Sequence, residues 1–320
     1  MDEFELIRRY FSRSAEAEGV RIGVGDDGAV LVPDADRDLI AVVDTLVDGV
    51  HFPRGLDPYD IAWRAMAVNL SDIAAMGGRP RWATLALTLV EADPAWLESF
   101  SSGLYAAAQD DDVRLVGGDT THGDQLVISV QLLGDVPAGK ALTRTGAKPG
   151  DMVYVSGTVG SAAGGLELLQ QHSGSADNPL VKRFCRPRAR IELGQALAGV
   201  ASAAIDISDG LLGDLGKLTA ASKVGAILQV DRLPLQRELI DHVGAERALH
   251  LALTGGDDYE LCFTAPAVAA DRVAALAAKL QLDLTCIGEI RQGDTVQCMS
   301  NGKALEIADT GYLHFRGATP

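Results

Sequence analysis

The sharpest constraint in the sequence is an acid set among apolar residues. Asp57-Pro58 supplies an N-cap followed by proline at the first helical position, and on the helix it starts, Ile61, Ala65, Val68, Asp72 and Ala75 share one narrow stripe. Such a stripe turns toward a core. A carboxylate carried there must be protonated, paired with Arg or Lys, or bound to a metal. Asn69, one turn earlier, adds a second polar group at the same site, and the helix is expected to reach Gly77-Gly78.

Other acids fall in equally pointed places. The apolar run Leu39–Val43 ends in Asp44, Asp119 follows Val116-Gly117-Gly118, and Asp206 and Asp209 lie in Ala204–Gly210 ahead of a helix. Carboxylates at strand ends, beside glycines that let backbone or ligand approach, sit where open sheets bind ligands. Singly, each serves equally well as a turn former or N-cap. Together, and with no cysteine or histidine partner, they suit a hard cation, and Mg²⁺ is held by a few carboxylates plus substrate phosphates. That points to phosphoryl transfer, where catalysis is positioning and charge stabilisation and needs no dedicated nucleophile.

The chain has 320 residues, 47% of them hydrophobic, enough for two domains with cores of their own. Its net charge of −16 repels nucleic acid and anionic membrane surfaces. Met1-Asp2-Glu3-Phe4-Glu5 lacks the basic and apolar regions of a signal peptide and no run is long enough to span a bilayer, so the expected location is cytoplasmic, with neither nucleic acid nor membrane as partner. Cys185, Cys262, Cys286 and Cys298 are scattered and the histidines have no ligand spacing, which indicates neither disulfides nor zinc. Gly23–Gly28 satisfies GxGxxG, but Ala29–Val32 continues as strand and leaves no helix N-terminus for a pyrophosphate. The Walker pattern is absent, since Leu218 follows Gly216-Lys217 and Ala141 follows Gly139-Lys140.

Periodicity and turn signals give an α/β chain with mixed sheets. Phe4, Ile7 and Phe11 mark a short opening helix, and Arg21–Val24, Ala29–Val32, Leu39–Asp44, Ala83–Val90, Arg114–Val116 and Leu126–Leu133 read as strands. Asp93-Pro94 starts a second helix. Turn-rich Pro137-Ala138-Gly139 and Gly146–Gly150 place a boundary near 137, dividing the chain into 1–137 and 138–320. The second part reads as strands at Met152–Ser156 and near Ala226–Val230, helices around 160–172, 188–200, 210–222 and 267–280, and a hairpin turning at Asn301-Gly302. Leu-x-Gly-Gly-Asp occurs at Leu115–Asp119 and again at Leu253–Asp257, as a duplicated strand-to-loop device would.

Read as a set, these segments resemble a known family. Gly25-Asp26-Asp27, Asp44–Phe52, Asn69–Gly77, Gly117–Thr120, Leu142–Ala147, Asp206–Leu211, Gly255–Leu261 and Gly311–Phe315 match, in order and spacing, the thiamine-monophosphate kinases of the aminoimidazole-ribonucleotide-synthetase-like superfamily. The resemblance implies a two-domain architecture: an N-terminal ATP- and Mg-binding domain that forms a homodimer through its sheet, and a C-terminal α/β domain, with ATP in the cleft between them. It implies direct in-line transfer of the ATP γ-phosphoryl group to thiamine monophosphate, giving thiamine diphosphate. Carried over by motif position, Asp27, Asp44, Asp72, Asp119, Asp206 and Asp209 hold several Mg²⁺ ions, with Asp72, Asp119 and Asp209 at the catalytic centre. Gly118, Asp119, Arg144 and Ser208 contact ATP, and Tyr105 either joins them or packs in the core. His51, Asp257 and Tyr312 meet the acceptor.

Two departures stand out. Val42-Val43 replaces a Ser-Thr pair common in the family, removing hydroxyl ligands before Asp44, and Asp257 stands where glutamate is usual. From the residues, two other readings remain open: another Mg-ATP enzyme of the superfamily, and a non-catalytic Mg-nucleotide-binding protein, which would not need His51 and Tyr312.

Overall fold

The structure, a computed structural model, describes residues 3–12, 18–307 and Gly311. It divides into two units, Met1–Ile73 with Gly78–Ala141, and Ala74–Gly77 with Leu142–Pro320.

In the first unit, helix α1 (Glu3–Leu6) runs on as a π-helical turn over Ile7–Phe11, and a short antiparallel pair follows, β1 (Val20–Ile22) with β2 (Val30–Leu31). Then come β3 (Arg37–Val47), α2 (Pro58–Ala75), β4 (Arg79–Leu89), α3 (Pro94–Gln109), β5 (Arg114–His122) and β6 (Val127–Pro137). The sheet order is β3-β6-β4-β5, parallel only between β4 and β5. Both long helices start as the sequence predicts. Asp57 accepts the Tyr59 N–H at 2.9 Å, and Asp93 accepts the Ala95 N–H at 3.0 Å. Gly103 lets α3 close onto α2, since a Cβ there would stand 2.2 Å from the Tyr59 carbonyl oxygen.

Three expectations change. Strand β3 does not end at Asp44, because it pairs with β6 at every residue from Arg37↔Pro137 to Val47↔Val127. Strand β5 likewise runs through Asp119 to His122, paired with β4. Both are edge strands, and each carries its acid within the ladder and not at its end. The two Leu-x-Gly-Gly-Asp segments are therefore unlike each other: the first lies inside β5, while the second leaves a helix. Finally, α2 has no single buried stripe. Ala62, Met66, Ala67, Leu70, Ile73 and Ala74 are buried along with the predicted positions, and Asp72 is only half-buried.

One sheet face packs Ile40, Leu46, Leu85, Leu87, Ile128 and Val130 into the core. The other leaves Leu39 and Val43 53% and 61% exposed. At one end of this open face three arginines cover Asp135 and take it wholly out of water. Its carboxylate meets Arg37 Nε at 2.5 Å, Arg81 Nη1 at 2.7 Å and Arg79 Nη2 at 3.1 Å. Burial pushes the Asp135 pKa up, but the hydrogen bonds from Arg79 and Arg37 outweigh it and hold the group below the ordinary carboxylate range.

The second unit contains β7 (Asp151–Ser156), α4 (Ser161–Gln170), α5 (Pro179–Cys185), α6 (Ile191–Ala196), β8 (Ala203–Asp206), α7 (Leu211–Ser222) and β9 (Gly225–Gln229). It continues with α8 (Arg237–Val243), α9 (Ala245–Thr254), β10 (Leu261–Pro266), α10 (Ala270–Leu280), β11 (Leu284–Arg291), β12 (Val296–Ser300) and β13 (Lys303–Leu305). Its seven-stranded sheet has the order β13-β12-β9-β11-β7-β10-β8, parallel only between β9 and β12. Val153, Ile205, Leu211, Leu215, Leu228 and Ile287 belong to its core. Strands β10 and β11 and helices α5, α8 and α9 carry no assignment in the sequence reading.

Asp135→Asn leaves three guanidinium groups facing a neutral amide. We expect a loss of about 3 kcal/mol, the lower end for breaking one side of a buried ion pair. All three tryptophans, Trp63, Trp82 and Trp96, lie with Asp135 in the first unit, so urea unfolding followed by tryptophan fluorescence reads the loss directly.

Candidate active site

In the first unit, the loop Gly23–Ala29 and strand β5 wall a cavity of about 370 Å³, closed on its apolar side by Ile7 and Phe11. Asp26, Asp27, Gly118 and Asp119 line it. Asp26 shapes the loop by accepting the Asp27 N–H at 2.8 Å. Gly118 is indispensable to the geometry: its φ is +153°, and a Cβ would lie 1.9 Å from the Leu85 carbonyl oxygen. Glycine is thus required there by the close approach of β4, and Asp27 and Asp119 stand with it along the cavity wall.

Asp44 and Asp72 do not line this cavity. Asp44 stands level with Gly118 through Val130 and Leu85, with two strands between them, a backbone separation of roughly 14 Å at the usual strand spacing. Asp119 lies one row further on, level with Thr45. Asp44 and Asp119 of one chain therefore cannot share an ion. Asp44 belongs instead to a junction of β3 with α2: its outward N–H is accepted by Asn69 Oδ1 at 3.0 Å, and Asn69 Nδ2 donates to the Ala65 carbonyl at 3.0 Å. Asn69, wholly buried, is a strand-to-helix clamp.

His51 closes the turn after β3. Its Nδ1 accepts the Val47 N–H at 3.0 Å and its own N–H returns to the Val47 carbonyl at 3.0 Å. An accepting Nδ1 carries no proton, so Nε2 is the N–H donor. Tyr105 is half-buried on α3 and does not line the cavity.

The second unit brings two motif loops together where β8 and β10 part. Ile207 N–H donates to the Glu260 carbonyl, Tyr259 N–H to Ile207, and Asp257 N–H to Ser208, all at 2.8–2.9 Å. Asp257 and Tyr259 both adopt positive φ, +73° and +51°, and the Tyr259 hydroxyl meets Asp257 Oδ1 at 3.3 Å. Asp206, Ser208, Asp209 and Asp257 thus share one loop pair. Gly311 lies against it, its ideal Cβ 2.6 Å from the Asp209 carbonyl oxygen, while Tyr312 lies outside the described residues. Arg144 is exposed, and its segment is tied alongside β8 by Thr143 O to Ala204 N–H and to the end of α7 by Arg144 O to Ser222 Oγ.

Sequence reasoning missed four charged groups here. Asp214, almost wholly buried, accepts the N–H groups of Ser208 and Asp209 on one oxygen at 2.9 and 3.0 Å. Lys217 donates to Asp214 Oδ1 at 2.8 Å and also to Asp209. Burial raises the Asp214 pKa despite that ammonium, and the two carboxylates raise that of Lys217 despite burial. Glu260, fully buried, takes Ser156 Oγ, Arg183 and a two-pronged contact from Arg190. Asp258, also fully buried, accepts the Gly160 and Ala162 N–H groups at the start of α4, and burial pushes its pKa up to about 7. The available signal was spacing: Asp209, Asp214 and Lys217 recur around one end of a predicted helix.

The donors offered to a cation are all oxygens. Asp27 and Asp119 converge on one cavity, and Asp206 and Asp209 on one loop. The first pair opens onto a space that phosphate oxygens and water can enter, which fits Mg²⁺, whereas Asp206 is buried at the end of β8 and only Asp209 reaches solvent. Among the described residues, no three His, Cys, Asp or Glu side chains form a group that would hold a metal. No helix among them is long and apolar enough to cross a membrane.

Comparison with known proteins follows the same division. The family model for the AIR synthase related protein N-terminal domain matches residues 25–136, and that for its C-terminal domain matches residues 148–299. The chain is 46% identical to thiamine-monophosphate kinase of Escherichia coli K12 across 99% of each chain. It is similar to the crystal structure of thiamine-monophosphate kinase from Stenotrophomonas maltophilia, with 46% identity, a TM-score of 0.87, and 95% of this chain and 98% of that one covered. It also resembles AaThiL complexed with AMPPCP and TMP, with 33% identity, a TM-score of 0.79, and 98% and 96% covered.

Asp258 makes one pH effect predictable. Its folded pKa of about 7 lies above the ordinary value of 3.8, so the folded state holds the proton more tightly than the unfolded chain, and stability falls as pH rises through that interval. Arg183 opposes the effect and Glu260 adds to it. The melting temperature of the wild type minus that of Asp258→Asn should therefore fall between pH 5 and pH 8. A difference independent of pH would show Asp258 ionised throughout.

Proposed function

The chain belongs to the AIR synthase related protein family and, within it, to the thiamine-monophosphate kinases, and on that premise we propose how its residues serve the reaction. It is a kinase that transfers the γ-phosphoryl group of ATP to thiamine monophosphate, yielding thiamine diphosphate and ADP. The observation that carries the residue assignment is the first unit's cavity, where Asp27 and Asp119 flank the side-chain-free backbone of Gly118.

Magnesium, held by Asp27, Asp44, Asp72 and Asp119 in the first unit and by Asp206 and Asp209 in the second, supplies neutralisation of charge on the phosphate oxygens. Gly118, Arg144 and Ser208 contact ATP. Gly118 does so because its backbone is uncovered, and Arg144 because an exposed guanidinium offers a fork of donors to phosphate. With its Nδ1 accepting the Val47 N–H, His51 would donate from Nε2 to an anionic acceptor, and Asp257, steadied by the Tyr259 hydroxyl, would meet the cationic side of the thiamine group together with Tyr312. Tyr105, half-buried on α3, contributes to the nucleoside side. The transfer runs in line and directly between the two phosphates.

A homodimer is the assembly this reading requires. The open sheet face with Leu39 and Val43 offers apolar surface for a second copy to cover.

Three measurements test these statements. Incubation with Mg-ATP and thiamine monophosphate, with thiamine and aminoimidazole precursors in parallel, should yield thiamine diphosphate from the first alone; no diphosphate would refute the kinase reading. Asp72→Asn should lower kcat by about a hundred-fold, the scale of one lost electrostatic group, at an unchanged melting temperature. If turnover persists at limiting Mg²⁺, Asp72 is structural. Val43→Glu should convert a dimer into monomer by light scattering, and a dimer that survives it uses another surface.

A further inference from the structure

Gly216-Lys217 matches no nucleotide motif, yet helix α7 delivers the Lys217 ammonium to two carboxylates of the second unit's loop. It bonds Asp209 and, at 2.8 Å, Asp214 Oδ1. The two acids are in different situations. Asp214 is fixed: its side chain is 1% exposed, and its other oxygen already takes the N–H groups of Ser208 and Asp209. Asp209 is 33% exposed and Lys217 41%, so both reach solvent.

We propose that Lys217 is a built-in counter-cation of Asp209 that a divalent ion must displace, so that loading this carboxylate exchanges one cation for another. The inference rests on the reading of Asp209 as a metal ligand and extends it to a residue outside the ligand set. Asp206, Asp209, Asp214 and Asp257 crowd one loop pair, and without a positive charge among them Asp209 would be driven outward. The ammonium neutralises this repulsion while the metal is away. Its flexible four-carbon stem lets it withdraw into water when a divalent ion arrives and repels the ammonium from the same carboxylate oxygen. Asp214 keeps the backbone of Ser208 and Asp209 in place during the exchange. A nucleotide phosphate offers the displaced ammonium a new anion, so metal and nucleotide binding become coupled through Lys217. It is a positioning residue, acting through Asp209.

The test uses the full chain and Mn²⁺ alone, with free Mn²⁺ read by electron paramagnetic resonance and neither nucleotide nor thiamine phosphate present. Lys217→Met should tighten one class of Mn²⁺ site about five- to thirty-fold, the scale of one partly exposed charge contact. Lys217→Arg, which retains the cation, should stay near the wild type. Lys279→Met, on the exposed side of α10, changes net charge equally and should shift affinity less than about twofold. Adding Asp209→Asn to Lys217→Met should abolish the gain. Lys217→Gln serves as second variant if Lys217→Met melts early. Unchanged or weaker binding in both neutral variants overturns the proposal, as does a gain that survives Asp209→Asn. The assay needs no acceptor, so its failure is distinct from failure of the kinase assignment, which product analysis reads separately.

Discussion

Taking a carboxylate out of water costs several kcal/mol unless positive charge or N–H donors meet it, and the architecture turns on how this chain meets that cost. With 44 acidic residues against 28 basic ones, its cations cannot serve every acid. They are concentrated where an acid is buried completely. Three arginines cover Asp135, two hold Glu260, and Lys217 with two backbone amides holds Asp214. Asp258 is met by amides at a helix start. Asp27 and Asp119 stay exposed, and Asp44, Asp72, Asp209 and Asp257 half-exposed, within reach of a cation from solution.

The buried pairs also build the loops that carry the exposed acids. Glu260 illustrates the link. Its side chain is locked by Arg183, Arg190 and Ser156, while its carbonyl accepts the Ile207 N–H, so the point at which β8 and β10 separate is fixed by an ion pair. From that point the chain continues on one side through Ser208 and Asp209 and on the other back through Tyr259 and Asp257. Asp214 then fixes the first branch from the helix side. A site assembled this way is held in shape by charges that never touch a ligand.

Much of this was legible wherever a local rule decides the outcome. Asp57-Pro58 and Asp93-Pro94 start helices because an Asp oxygen takes an early N–H, and Asn301-Gly302 turns a hairpin because both residues accept positive φ. Failures came where tertiary pairing overrides the local signal. Nothing in Val43-Asp44-Thr45 says that β6 will pair all eleven residues of β3, so the acid was read as a terminus. Leu261–Ala265 is a continuous buried run, and without alternation it carries no strand period. Helix α2 is buried on nearly every side, so its apolar stripe was real but did not single out Asp72. Asp44 and Asp119 were recognisable as acids of one chemistry, yet their opposite edges depend on strand order, which the sequence does not display.

Asp257 shows how backbone and chemistry constrain each other at one position. The acid stands in left-handed backbone at φ +73°. Aspartate occupies that region more readily than most side chains because its short polar group bonds locally. Here the local partner is Tyr259, itself at positive φ, whose hydroxyl meets the carboxylate. The short side chain keeps the charge close to the loop, and the phenol holds it in a defined place. The acid is thus paired with a rigid support, so its negative charge keeps a fixed position and its side chain has less freedom to lose if a ligand binds there.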